Sequence, residues 1–214
     1  SGTLLCLGQP DVYFSYDHLR RMAMTVQVEL APGVDITPSH NQHFASLGYI
    51  SGDALFRSMG FASIHALDYS EFEGATIIHD LNAPTLPEEL HEKFDVIIDH
   101  GTLEHVFHIP NALQNLFRLL KTGGRLIHSS PTSNLVDHGF YMFSPTFFYD
   151  FYVTNDWEIN NIYARWFQSP IPPKNVNLNM PMSNALKKSI SNPNDKGVDK
   201  CGRMECMMSL GREF

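Results

Sequence analysis

Basic residues are scarce in this chain. Lys and Arg together number 15 against 23 Asp and Glu in 214 residues, and the formal charge at pH 7 is −8. Nucleic-acid affinity rests mainly on clustered Lys and Arg that neutralise phosphates, so this balance argues against a nucleic-acid partner. Cysteine is scarcer still. Cys6, Cys201 and Cys206 make an odd count without framework spacing, which argues against a disulfide scaffold and for reduced thiols in a cytoplasmic setting. No apolar run reaches the roughly 20 residues of a membrane-spanning helix, and no signal-peptide pattern is present, so no membrane partner is expected. Glycine is missing where a dinucleotide loop needs it. The first apolar run, Leu4 to Leu7, leads into Gly8-Gln-Pro-Asp11 rather than G-x-G-x-x-G, which argues against a nicotinamide enzyme. A tight metal signature is also missing. There are eleven histidines, yet His100, His105, His108 and His138 with Asp99 and Glu104 match no close ligand spacing, and no metal is expected.

What is present describes an ordinary globular protein. Hydrophobic residues make up 43% and charged residues 18%, which suits one domain, 1–214, with a sizeable core. Apolar runs at Leu4 to Leu7, Ser63 to Leu67, Ala75 to Ile78, Phe94 to Ile98 and Arg125 to His128 read as buried strands. Trp157 to Phe167 and Arg203 to Leu210 are candidate final strands. Between them fall helices. Tyr16 to Met24 carries Leu19, Met22 and Ala23 on one face; Ser51 caps a helix that stops at Gly60; Leu86 to Leu90 is a helical turn. Asn111 to Leu120 is amphipathic through Ala112, Leu113, Leu116, Phe117 and Leu120, with Gly123-Gly124 as its end, and Pro145 to Tyr152 is aromatic-rich. Two segments stand outside this alternation: 12–50 is expected to be an insertion or lid, and the Pro- and Asn-rich stretch 168–200 a surface excursion.

Strands alternating with helices imply an α/β fold, doubly wound around a mostly parallel sheet. Ligands of such sheets bind beyond the carboxyl ends of the strands. Gly8, Asp68, Tyr69, Asp80, Leu81, Asp99, His100 and Gly101 all fall at or just past strand ends. A carboxylate at Asp68 suits a ribose diol, and the adjacent Tyr69 an adenine face; capping of the turn Asp68-Tyr-Ser70 is the other reading of the same Asp. Asp80 suits an adenine amino group or a turn beside Asn82. Asp99 suits an ammonium, and Gly101 permits close backbone approach. Glu104 and His105 are expected to open the helix that follows, where the helix dipole favours a carboxylate.

The stretch Asp95-Val-Ile-Ile-Asp-His-Gly-Thr-Leu-Glu-His-Val106, continuing through Ala112-Leu113 to Leu119-Leu-Lys-Thr-Gly-Gly-Arg-Leu126, resembles the fourth-strand, helix and fifth-strand signature of the class I S-adenosylmethionine-dependent methyltransferases. The resemblance implies a Rossmann-like fold and S-adenosylmethionine as cofactor, with S-adenosylhomocysteine as product. It implies that Asp68, Asp80 and Asp99 to Gly101 take the ribose, the adenine and the amino-acid end. One departure concerns the first loop, which keeps only Gly8 and lies far from Asp68, so 12–50 is inserted or the loop is rebuilt.

After the fifth strand, Ser129-Ser-Pro-Thr-Ser-Asn134 and Asp137-His-Gly-Phe-Tyr141 form a polar, aromatic segment on the acceptor side. A histidine here can take a proton from an acceptor hydroxyl, its ordinary pKa near 6.5 suiting neutral pH. His138 is the first candidate, with His105 and His128 behind it and Tyr141 to orient the acceptor. The expected activity is methyl transfer to an oxygen or nitrogen of a small polar acceptor, such as a sugar, a glycan precursor or a phosphorylated metabolite. A non-catalytic cofactor-binding module and a metal-dependent hydrolase built on the histidines are the alternatives. The oligomeric state is left open.

Overall fold

The computed structural model describes residues 2–133, 135, 137–167 and 203–211, with backbone alone for 165–167 and 203–211. The expected excursion at 168–200 lies outside the described residues. Two compact units make up the chain: Ser1–Asp80 with Phe94–Val96, and Leu81–Lys93 with Ile97–Phe214.

In the first unit, β1 (Thr3–Leu7) runs parallel to β2 (Ser63–Asp68), with Leu7 opposite Leu67. Strand β2 runs parallel to β3 (Ile77–Ile78), with Asp68 opposite Ile78. The strand order is β3-β2-β1-β4, where β4 spans Phe94–His100 and only its start belongs to this unit. Leu4 and Leu5 are wholly buried, as a continuous apolar run in a parallel sheet requires. Helix α1 (Tyr16–Thr25) is capped by the Ser15 hydroxyl and α2 (Gln42–Ser46) by the Asn41 side chain. Helix α3 (Gly52–Ser58) is capped by Ser51, whose hydroxyl accepts from the Ala54 N–H at 3.0 Å. Such caps contribute about 1 kcal/mol each. The 12–50 segment is packed: its Val12, Leu19 and Ile50 cluster with Ala54 of α3.

The second unit has the order β4-β5-β7-β6. Strand β5 (Leu120–Ser133) pairs antiparallel with β7 (Arg203–Gly211), and β7 pairs antiparallel with β6 (Glu158–Phe167). Helices α4 (Ile109–Leu119) and α5 (Pro145–Thr154) complete it. Helix α4 buries Ile109, Ala112, Leu113, Leu116 and Leu119, the stripe that the 3.6-residue period demands. Parallel strands, intervening helices and an antiparallel pair at one end of the strand order make this a Rossmann-like α/β fold.

Three expectations need correcting. Gly123-Gly124 do not end α4. The helix stops at Leu119 because Leu120 is already extended (φ −82°, ψ 133°), and the glycines lie inside β5. Gly124 is compelled there by contact, since a Cβ would meet Leu120 Cγ at 2.7 Å and the Lys121 carbonyl at 2.8 Å. Glu104 and His105 do not open α4 either. They form a separate 3-10 turn, Leu103–His105, and α4 starts at Ile109 with Pro110 in its first turn, where the missing N–H costs nothing. Finally, residues 129–133, expected as a loop, continue β5.

Leu116 is fully buried on α4. Leu116→Ala is expected to lower stability by about 2–5 kcal/mol, read as a reduced urea midpoint at unchanged slope.

Candidate functional site

Parallel pairing in the first unit carries the sequence-predicted residues Gly8, Asp68, Tyr69 and Asp80 to one set of strand ends. Gly8 follows β1 at φ 72°, a conformation that suits glycine, and its N–H donates to the Leu67 carbonyl at 2.8 Å. Asp68 closes β2, and its Oδ1 accepts from the Ser70 N–H at 3.0 Å. The turn-capping reading of Asp68 is therefore realised, and the residue is half-buried. Tyr69 beside it is 75% exposed. The His79 N–H donates to the Asp68 carbonyl at 2.9 Å, which sets Asp80 next in line. Burial lowers the His79 pKa from its ordinary 6.5, and the charge of Asp80 partly opposes that shift. The strand end thus offers a half-buried Asp beside an exposed aromatic, a pair of acceptor oxygens next to a ring face.

In the second unit, Leu81, Asp99, His100 and Gly101 have different fates. Leu81 is buried, and its carbonyl accepts from Asn115 Nδ2 at 3.3 Å. His100 is exposed at the end of β4. Gly101 has φ 85°, and a Cβ there would lie 3.4 Å from Glu104 Oε1. Asp99 is wholly buried and its carboxylate is committed. Oδ1 accepts from the N–H groups of Thr102 (3.1 Å) and Leu103 (3.2 Å), while Oδ2 lies 2.7 Å from His128 Nδ1. It caps the 3-10 turn rather than presenting itself to an ammonium.

His128, read from the sequence as a reserve base, is equally occupied. It is 0% exposed, its Nε2 lies 2.7 Å from the Tyr152 hydroxyl, and its ring stacks on Phe148 at 4.8 Å. Nδ1 can donate to Asp99 Oδ2, and Nε2 can accept the Tyr152 O–H. Burial, with Asp99 adding to it, holds the Tyr152 phenol well above its usual pKa, which keeps that proton in place. Tyr152 was missed in the sequence, but a signal for His128 existed: it shares the β5 parity of the buried Leu126.

His138, His105 and Tyr141 come together around Glu104. The Glu104 carbonyl accepts from the N–H groups of Phe140 (2.7 Å) and Tyr141 (3.2 Å). A Cβ on Gly139 would meet that carbonyl oxygen at 2.7 Å, so only glycine allows the approach. Tyr141 donates its hydroxyl proton to the Phe107 carbonyl at 2.7 Å; the proton is spent on fastening the segment, not on an acceptor. The strap 137–141 is thus fixed to the turn. It places His138 Nε2 3.6 Å from Glu104 Oε1 and the His138 ring 4.9 Å from the His105 ring, edge to face. Glu104 is 1% exposed and His138 43%. Desolvation, then the neighbouring His138, lowers the His105 pKa. Phe107 and Phe140, both exposed, pack edge to face at 5.5 Å next to this cluster.

The fold and these strand ends define a class I methyltransferase architecture. The profile of the methyltransferase-domain family matches residues 18–175, and the chain belongs to that family. Among solved structures, the MccD protein superposes with a TM-score of 0.51 at 10% identity, over 100% of this chain and 90% of that one. The 1,6-didemethyltoxoflavin-N1-methyltransferase of Burkholderia thailandensis, solved with 1,6-didemethyltoxoflavin and S-adenosylhomocysteine, superposes with a TM-score of 0.48 at 11% identity, covering 100% of this chain and 72% of that one. A different similarity is confined to 43 residues, 20% of this chain. It is 56% identical to the L-glutamate/L-aspartate-binding protein of Pseudomonas aeruginosa, of which it spans 14%.

Two outcomes are expected. Asp99→Ala removes the acceptor of two buried N–H donors, on Leu103 and His128, and of a part-buried one on Thr102, at about 1–3 kcal/mol for each buried donor left unsatisfied. A loss of roughly 3 kcal/mol or more in denaturant unfolding is expected, against a smaller loss for Asp99→Asn, which keeps an acceptor oxygen. His79 is expected to titrate below 6.5 in NMR, and lower still in Asp80→Asn. Because its folded pKa is depressed, the unfolded chain binds more protons just below pH 6.5, and stability falls as pH drops through that window.

Proposed function

We propose that this chain is a methyltransferase that uses S-adenosylmethionine to methylate an oxygen, or a nitrogen, of a small polar acceptor such as a sugar, a glycan precursor or a phosphorylated metabolite. The observation that carries the reading is the pairing of Gly8 and Asp68 at adjacent parallel strand ends, with exposed Tyr69 alongside, in a chain of the methyltransferase-domain family. When bound, the cofactor supplies an electrophilic methyl group on a sulfonium. Asp68 takes the ribose hydroxyls, Tyr69 covers the adenine, Asp80 accepts from its amino group, and Gly8 lets the backbone approach. In the second unit, Gly101 keeps its turn open.

The Glu104–His105–His138 cluster handles the acceptor, with the exposed faces of Phe107 and Phe140 beside it. A hydroxyl proton lost by such an acceptor would leave through this cluster. Both of its histidines are exposed, and Glu104 is buried. Positioning contributes about 7–11 kcal/mol to such a methyl transfer, and removal of the proton on the order of 10²–10⁴-fold.

S-adenosylmethionine and S-adenosylhomocysteine are each expected to raise the melting temperature, since a ligand of the folded state at about 100 times its Kd adds about 2.7 kcal/mol. In calorimetry, Asp68→Ala is expected to weaken both. His138→Ala is expected to leave both affinities intact while turnover of a hydroxylated acceptor drops. No thermal shift with either nucleoside would refute the reading.

A further inference from the structure

We propose that Glu104, His105 and His138 form a binding site for one divalent transition-metal ion, with a carboxylate and two imidazoles as protein ligands. One ligand atom from each lies within 4.8 Å of the others. Tetrahedral zinc with bonds of about 2.0–2.2 Å wants its ligand atoms roughly 3.4 Å apart. The Glu104–His138 separation of 3.6 Å is already near that value, and closing the rest needs only rotation of the partly exposed histidines.

The site is built rather than accidental. Glu104 is buried to 1% exposure, with its Oε1 3.6 Å from His138 Nε2. The strap that brings His138 to it is held by two backbone hydrogen bonds to the Glu104 carbonyl, by the contact that only Gly139 permits, and by the Tyr141 bond to Phe107. Asp137, at φ 63°, adopts the left-handed conformation that turns the chain into the strap.

One carboxylate and two histidines leave coordination positions for other ligands, as in catalytic rather than structural sites. An acceptor oxygen bound there would lose its proton more easily. That extension rests on the methyl-transfer reading, whereas ion binding itself does not. Sequence spacing hid the site because His108 is not the partner of His105: it flanks α4, and its N–H donates to Asn82 Oδ1 at 2.9 Å. The fold supplies His138 instead.

The test strips the purified chain with a chelator and titrates it with Co²⁺, followed by its visible d–d bands, and then with competing Zn²⁺. The expected result is one equivalent of Co²⁺ displaced by Zn²⁺. His138→Ala and His105→Ala should each weaken binding by about tenfold or more, because losing a direct ligand costs at least what losing an outer-shell partner does. His43→Ala, on the unrelated α2, should leave binding unchanged. Absence of stoichiometric binding, or equal affinity in wild type and His138→Ala, would overturn the site. Circular dichroism checks folding, and the partly exposed His138 supplies a variant that keeps its fold should His105→Ala lose it. S-adenosylhomocysteine thermal shifts on the same samples separate the two proposals: a nucleoside response without ion binding discards the metal site alone, and ion binding without a nucleoside response discards methyl transfer alone.

Discussion

The second unit is organised around the Asp99 carboxylate. It sits at the end of β4, wholly buried, and is occupied from three directions. Two backbone N–H groups shape the turn Leu103–His105, and His128 ties in β5 and, through Tyr152, α5. Everything proposed for chemistry in this unit hangs from that turn. Glu104 and His105 are its residues, and the strap carrying His138 is bolted to the Glu104 backbone. A side chain placed to meet a ligand would have to give up at least one of these bonds. In a low-dielectric interior each such loss is costly, so Asp99 shapes the site without being available to touch what binds there.

The elements of the fold were legible because period and punctuation agreed. The stripe on α4, the Ser51 cap and the β-rich runs each gave the right element within a few residues. The errors arose where one residue type serves two purposes. Gly123-Gly124 read as a helix stop, yet glycine was required for close contact with Leu120 and the Lys121 carbonyl. The Glu104-His105 pair read as a helix start, yet Pro110 marks the first turn of α4 and the pair belongs to its own turn. A local pattern does not distinguish a glycine that ends a helix from one that admits a neighbour.

The site was legible to a different degree in each unit. Strand ends could be located from apolar runs, so the positions of Gly8, Asp68, Tyr69 and Asp80 at or just past strand ends were legible, and parallel register brings those ends into line. Whether a polar side chain at such a position faces outward depends on long-range partners, which the sequence does not display. The Asp68 carboxylate accepts from the nearby Ser70 N–H, and the residue stays half-buried. Asp99 and His128 found each other and Tyr152, and went inside. Eleven histidines offered many candidates; burial removed His128, and a glycine contact between distant segments selected His138.

The contrast between Glu104 and His138 carries the argument furthest. One is fixed in the interior, and the other stands 43% exposed on a strap whose backbone is fastened but whose side chain can rotate. A cluster made only of buried groups would be rigid yet closed to incoming ligands, and one made only of exposed groups would lose too much rotamer entropy on binding. Pairing a preorganised carboxylate with adaptable imidazoles keeps the cost of ordering small while leaving the cluster open. The same division suits proton removal by an imidazole and coordination of an ion: both need one anchored negative charge and one mobile nitrogen, and they differ only in which cation occupies the space between.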